Sequence, residues 1–241
     1  MVKICTQAYN KSNQAFDSWD FTLSDFQKYA IESIISGHNT IITAHTGSGK
    51  TLPAEFLMRH FKDQNKKVVY TAPIKALSNE KYWDFQKKFP EISFGLITGD
   101  TKFNPDADVL IMTTECLCNT LYQMKMIKTG NLKSEQVNLL FEMDIENELG
   151  GVVFDEIHYI NDPDRGHVWE ESIMMLPNNV QILGLSATMN NPEKFCSWIE
   201  NKGKDVWLCP NEKRVVPLKH YSFMTVAQSV LDKFPSTIKN L

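Results

Sequence analysis

The stretch Ala44-His45-Thr46-Gly47-Ser48-Gly49-Lys50-Thr51 constrains the fold more than any other part of the chain. A short apolar run, Thr40-Ile41-Ile42-Thr43, precedes it and reads as a buried strand. Leu52, Phe56, Leu57, His60 and Phe61 follow at the spacing of a helix packed on a sheet. Strand, small-residue loop, Lys-Thr and helix together make a cradle for phosphate. Gly47 and Gly49 are expected at positive φ, which lets successive N–H groups point inward at an anion. The helix, expected to begin at Lys50, adds unpaired N–H groups and the positive end of its dipole. Lys50 can reach β- and γ-phosphates, and the Thr51 hydroxyl can ligate Mg²⁺. Ala44 stands where this pattern usually has Gly, which does no harm if it is the last strand residue with ordinary φ.

A cradle of this type needs a parallel sheet around it, and the chain supplies one. Further buried strands are expected over Lys67–Ala72, Ile92–Ile97, Asp108–Met112, Gly151–Phe154, Val180–Leu185 and Val206–Leu208. Helices are expected after the N-cap Ser24, over Lys75–Lys88, from Thr113-Thr114 through Leu121, and over Pro192–Glu200. Uniformly apolar strands alternating with helices mean an α/β fold whose mostly parallel sheet is covered on both faces. In such sheets ligands gather at the carboxyl ends of the strands. Residues 1–18 show no strong periodicity and read as an extension, and polar residues 127–150 as a surface insertion with a helix around Glu135–Phe141.

A length of 241 residues suits one large domain, and 42% hydrophobic with 22% charged residues is ordinary for a soluble protein with a full core. No apolar run reaches membrane length, and residues 1–12 lack the apolar core of a signal peptide. Five Cys without metal-ligand spacing suit reduced thiols in a reducing, intracellular compartment. The formal charge of −4 counts against a domain that grips nucleic acid tightly by itself, though not against one with local contacts.

Asp155-Glu156 closes an apolar strand about a hundred residues after the loop, as the second half of a nucleotide site requires. Asp155 would hold Mg²⁺, and Glu156 would sit at the same metal and activate the water that attacks the γ-phosphate. His158 either links this pair to Ser186 and Thr188 or is a satisfied histidine.

Ala44–Thr51, Asp155-Glu156-Ile157-His158 and Ser186-Ala187-Thr188 resemble motifs I, II and III of superfamily-two helicases of the DExH type. Thr71 to Asn79 resembles motif Ia, and Thr98-Gly99-Asp100 and Thr113-Thr114-Glu115 resemble motif Ib and its neighbour. Phe21 to Gln27 is similar to the family's adenine-reading segment. Ala44-His45-Thr46 and the run from His158 to Gly166, followed by Val168-Trp169-Glu170-Glu171, resemble the superkiller-type RNA helicases that serve the exosome. Arg214 to Tyr221 resembles the strand that leaves the first RecA-like domain in that branch.

The resemblance implies a RecA-like ATP-binding domain over residues 19–223, with ATP and Mg²⁺ as cofactors and 3′–5′ RNA unwinding as the activity. His45, Thr46, Gly47, Ser48, Gly49, Lys50 and Thr51 would hold the nucleotide phosphates. Gln27 would bond the adenine edge, and Phe21 or Trp19 would stack on it. Lys50, Asp155, Glu156 and His158 would form the catalytic group, with Thr51, Asp155 and Glu156 at the metal. Pro73, Lys75, Ala76, Asn79, Gly99, Asp100, Thr113, Thr114 and Glu115 would hold the backbone of single-stranded RNA, with DNA as the alternative. Ser186, Ala187 and Thr188 would couple hydrolysis to strand movement. After Phe223 only 18 residues remain, without motifs IV to VI. A second RecA-like domain bearing the arginine fingers is therefore expected downstream of a linker at 224–241, and this piece alone should hydrolyse ATP very weakly. An RNA-processing or decay complex is the implied partner, and a solitary nucleotide- and RNA-binding module is the alternative reading.

Overall fold

The computed structural model describes residues 1–133, 135, 137–211, 217, 219 and 221. Apart from 217, 219 and 221, the expected strand at 214–221 and the linker at 224–241 lie outside them.

Among the described residues there are nine strands: β1 (Lys3–Ile4), β2 (Asn39–Ala44), β3 (Lys67–Ala72), β4 (Phe94–Ile97), β5 (Lys102–Phe103), β6 (Val109–Thr113), β7 (Leu149–Phe154), β8 (Gln181–Ser186) and β9 (Val206–Asn211). Six helices join them: α1 (Asp25–Ile35), α2 (Leu52–Lys62), α3 (Lys75–Lys88), α4 (Thr114–Lys128), α5 (Gly166–Met175) and α6 (Pro192–Glu200). The spatial order is β1-β9-β2-β8-β7-β3-β6-β4-β5. Every pairing is parallel except the last, where β5 turns back antiparallel on β4.

Strand side chains alternate between the faces. Ile42, Val68, Tyr70, Val153 and Leu183 pack with Ala30 and Ile34 of α1, Leu57 and Met58 of α2 and Phe85 of α3. Ile41, Val69, Val152 and Ile182 pack on the other face with Leu117 of α4, Trp169 and Ile173 of α5 and Ile199 of α6. Burial on both faces removes apolar surface at roughly 25 cal/mol per Å², which stabilises the sandwich. Gly150 and Gly151 make room for the Phe61 ring, which a Cβ at either position would overlap.

The structure corrects the expected pattern in several places. The regular helix after the loop begins at Leu52 rather than Lys50, with Thr51 as its N-cap and the Leu52 N–H bonded to the Gly49 carbonyl at 3.2 Å. The insertion is shorter than expected, because α4 extends to Lys128 and β7 starts at Leu149. Residues 137–144 are irregular, not helical, and Phe141 is buried in the core rather than on a polar surface. The strands β1 and β5 are too short for periodicity to reveal, and α5 covers residues where the sequence shows a motif but no clear helical face. The expected N-cap Ser24 does start α1, where Gln27 Oε1 accepts from the Ser24 N–H at 2.9 Å.

Candidate functional site

Strand order places the motifs. The carboxyl ends of β2, β8 and β7 lie side by side, so the 44–51 loop, Ser186 and Asp155 come together at one edge. The adjoining strands β3, β6 and β4 end at Ala72, Thr113 and Ile97, which puts residues 73–79, 113–115 and 98–100 next along the same edge. One edge thus carries two neighbouring groups of loops.

In the first group, Gly47 and Gly49 adopt φ of 82° and 83°, as the phosphate-cradle reading requires. Ala44 ends β2 with ordinary φ, so a Cβ there is harmless. The Ser48 hydroxyl oxygen is buried without a hydrogen-bond partner. Lys50 is almost buried and donates to Glu156 Oε1 at 2.8 Å, which joins the loop to the carboxylates. Thr51 is half-buried at the start of α2, while His45 and Thr46 lead into the loop.

Asp155 is held from two sides. Its Oδ2 accepts from the Tyr70 hydroxyl at 2.6 Å, and its Oδ1 accepts from the Glu156 N–H at 2.9 Å. Burial pushes the Asp155 carboxyl up, and the Tyr70 bond pulls it part of the way back. The Tyr70 phenol is itself pushed far up by burial and by the neighbouring carboxylate. Glu156 takes the left-handed conformation, φ 49° and ψ 45°, which non-glycine residues visit rarely and which turns its side chain toward Lys50. His158 Nδ1 lies 3.2 Å from Glu156 Oε2, off hydrogen-bond geometry, so both atoms are buried without a bond. Of the two readings of His158, the link to Ser186 and Thr188 is absent: Ser186 Oγ donates instead to the Thr188 carbonyl at 3.0 Å. Ala187 is half-buried and Thr188 exposed at that turn.

Gln27 is buried beneath the loop. Its Nε2 donates to the Gly49 carbonyl at 3.1 Å, and its Oε1 accepts from both the N–H and hydroxyl of Ser24. One Nε2 hydrogen is left to meet a ligand. Phe21 is 57% exposed, whereas Trp19 packs on Phe56 at 6.0 Å, so Phe21 is the aromatic free to stack.

In the second group, Lys75, Ala76 and Asn79 are exposed along the start of α3. Lys75 pairs with Asp100 at 3.0 Å beside exposed Gly99, and the Thr98 hydroxyl and Lys75 hold the Asp100 carboxyl low. Thr113 and Thr114 are buried; the Thr113 hydroxyl faces Cys116 Sγ, and the Thr114 hydroxyl is unpartnered. Buried hydroxyls reach little beyond their own backbone, so at these two positions the chain presents mainly the first turn of α4. Arg165, which motif reading passed over, bonds the Pro73 carbonyl at 2.6 Å and clasps Glu115. Its only sequence signal was its position inside the run from His158 to Gly166.

Among the described residues no group of three or more His, Cys, Asp or Glu could hold a metal by itself, and no helix is long and apolar enough to cross a membrane. The five cysteines are buried and free.

The chain resembles known proteins over most of its length. It is 42% identical over 203 residues to the antiviral helicase SKI2 of Saccharomyces cerevisiae, covering 84% of this chain and 14% of that protein. Against superkiller complex protein 2 of Homo sapiens it is 40% identical over 206 residues, covering 85% and 15%. Against the exosome RNA helicase MTR4 of Mus musculus it is 37% identical over 211 residues, covering 87% and 18%. The chain therefore spans less than a fifth of the length of these relatives. The fold is shared with the DUF1998 helicase MrfA bound to DNA and AMPPNP, at a TM-score of 0.61 and 20% identity over 82% of this chain and 28% of that one. A dbp5 chain from S. cerevisiae matches at a TM-score of 0.58, again with 20% identity, covering 81% and 51%. Residues 24–195, which hold both loop groups, match the DEAD/DEAH box helicase family, and the chain belongs to it.

Proposed function

We propose that this chain is the N-terminal ATP-binding domain of an ATP-dependent RNA helicase of the superkiller and exosome type. The observation that carries the reading is the convergence of Gly47, Gly49 and Lys50 with Asp155 and Glu156, where Ser48 Oγ and Glu156 Oε2 are buried without hydrogen-bond partners. Ser48 Oγ and Glu156 Oε2 have surrendered water without gaining a bond, which costs free energy unless a ligand meets them.

The residues fit a Mg-nucleotide. Loop N–H groups between His45 and Lys50, apart from that of Ser48, which donates to the His45 carbonyl at 3.1 Å, and the start of α2 suit phosphate oxygens. The Thr51 hydroxyl and Asp155 supply few ligands, which suits Mg²⁺, an ion that takes most of its shell from phosphates and water. Bound there, Mg²⁺ would neutralise charge on the β- and γ-phosphates. Lys50 would leave Glu156 for the phosphates, which frees the Glu156 carboxylate to orient water and accept its proton. His158, 3.2 Å away, would steady that carboxylate. Gln27 and Phe21 would take the base, and the turn Ser186-Ala187-Thr188 on β8, between the loop strand and the Asp155 strand, would sense the γ-phosphate and couple its loss to movement.

Lys75, Ala76, Asn79, Gly99 and Asp100, with the Pro73 turn and the α4 start at Thr113 and Thr114, would track the backbone of a single strand without reading bases. The homology of the relatives favours RNA as that strand. Arg59 stacks over Phe89 and Arg165 is held by Glu115, so no described arginine faces the loop. Arginines from a second RecA-like domain would complete the catalytic site, worth on the order of 10³–10⁵ in rate. The test is Mg·ATP hydrolysis with and without single-stranded RNA, by this chain and by a longer chain containing a second such domain. Strong RNA-stimulated turnover only in the longer chain is the expected result. No gain on lengthening would leave a binding module in place of a helicase.

A further inference from the structure

The Arg165 side chain fastens the segment that leaves Glu156 to the second loop group. That segment runs through a single turn of 3-10 helix, Ile157–Asn161, to Asp162, whose carboxylate accepts the Arg165 N–H at 2.9 Å. Tyr159 of that turn stacks on fully buried Trp169 at 5.8 Å, and the Arg165 guanidinium lies over the same indole at 5.7 Å. From there Nη2 donates to the Pro73 carbonyl at 2.6 Å, and both Nε and Nη2 donate to Glu115 Oε1. Pro73 directly follows β3 and Glu115 lies in the first turn of α4, so the guanidinium joins two nucleic-acid loops to the exit of the carboxylate strand. A planar fork with fixed donor directions holds these acceptors in one geometry, which the rotating point charge of an ammonium does not fix.

We propose that Arg165 is a positioning residue that holds the 73–79 and 113–115 loops in their nucleic-acid-binding arrangement and ties that arrangement to Glu156. Glu115 is then the anchor of the clamp and no ligand of the strand, which accounts for a carboxylate among loops that face phosphate. The proposal rests on the nucleic-acid reading above.

The charges make the test a question of sign. If Glu115 and Arg165 acted only through their fields, Glu115→Ala would tighten RNA binding and Arg165→Lys would preserve it. A clamp requires the opposite: Glu115→Ala, Arg165→Ala and Arg165→Lys each weaken binding, by about tenfold. The measurement is fluorescence anisotropy with a labelled oligouridine at fixed salt, beside Mg·ADP titration and a thermal melt of each variant. Loss of RNA affinity that exceeds any loss of Mg·ADP affinity, with no rescue by Lys, is the expected result. Tighter binding by Glu115→Ala, or full retention by Arg165→Lys, overturns the clamp. Equal loss of both ligands with a collapsed melting temperature makes Arg165 a general fold residue and also overturns it. If the unsubstituted chain binds Mg·ADP but no RNA, the nucleic-acid reading itself fails and takes this inference with it.

Discussion

Replacing Tyr70 with Phe removes one hydroxyl and leaves the ring in place against Phe85, with which it makes an edge contact at 5.3 Å. The lost bond is the 2.6 Å donation to Asp155 Oδ2, made where both residues are buried. A hydrogen bond to a charged acceptor contributes about 1.5–3 kcal/mol, and here its loss leaves a buried carboxylate oxygen without a donor. The expected destabilisation is about 2 kcal/mol at neutral pH, or about 4–8 °C in melting temperature for a chain of this size. Its pH dependence follows from Asp155, whose folded carboxyl lies above the ordinary value because of burial. Ionisation is harder in the folded than in the unfolded state, so this group removes stability as pH rises through that window. The Tyr70 hydroxyl favours the ionised form and limits that loss. The deficit of Tyr70→Phe should therefore be full when Asp155 is ionised and shrink as pH falls and the carboxyl is protonated. Thermal melts of both proteins from about pH 8 to about pH 4 measure it. A deficit absent at high pH, or growing as pH falls, would refute the account of how Asp155 is held.

Gly49→Ala should weaken Mg·ADP binding and cost about 1–2 kcal/mol in stability, because φ is 83° and the new Cβ would lie 2.6 Å from Gln27 Nε2; calorimetric titration and a melt check both. In a chain with the second domain, Glu156→Gln should bind ATP and fail to hydrolyse it, and loss of binding instead would make Glu156 structural. Ser186→Ala combined with Thr188→Ala in the same longer chain should lower unwinding more than hydrolysis, and equal loss of the two would remove the coupling role.

Much of this molecule was legible in advance because the informative residues are those the physics singles out. Positive φ at two loop glycines, an apolar strand ending in two acids, and helices with clear faces are local properties, and β3, α3 and α6 appear over the residues expected. Strand order is not local, and it decides that Ser186 lies between the phosphate loop and Asp155. Phe141 misled because burial of one aromatic in an irregular stretch has no periodicity to betray it. The two-residue strands β1 and β5 exist through pairing with β9 and β4 alone, which no window along the chain detects. Gln27 was expected to face a base and is found also bracing the loop through Gly49, a tertiary bond between residues 22 apart. Arg165 has no local signal because its partners, Pro73 and Glu115, lie 92 and 50 residues away.

The central claim is that the 44–51 loop and the carboxylates at the end of β7 form a Mg-nucleotide half-site. Equilibrium titration of Mg·ADP into this chain and into its Lys50→Ala variant tests it most directly. The account predicts one saturable site in the unsubstituted chain and marked weakening in the variant. Absence of binding, or an affinity indifferent to Lys50, would contradict it.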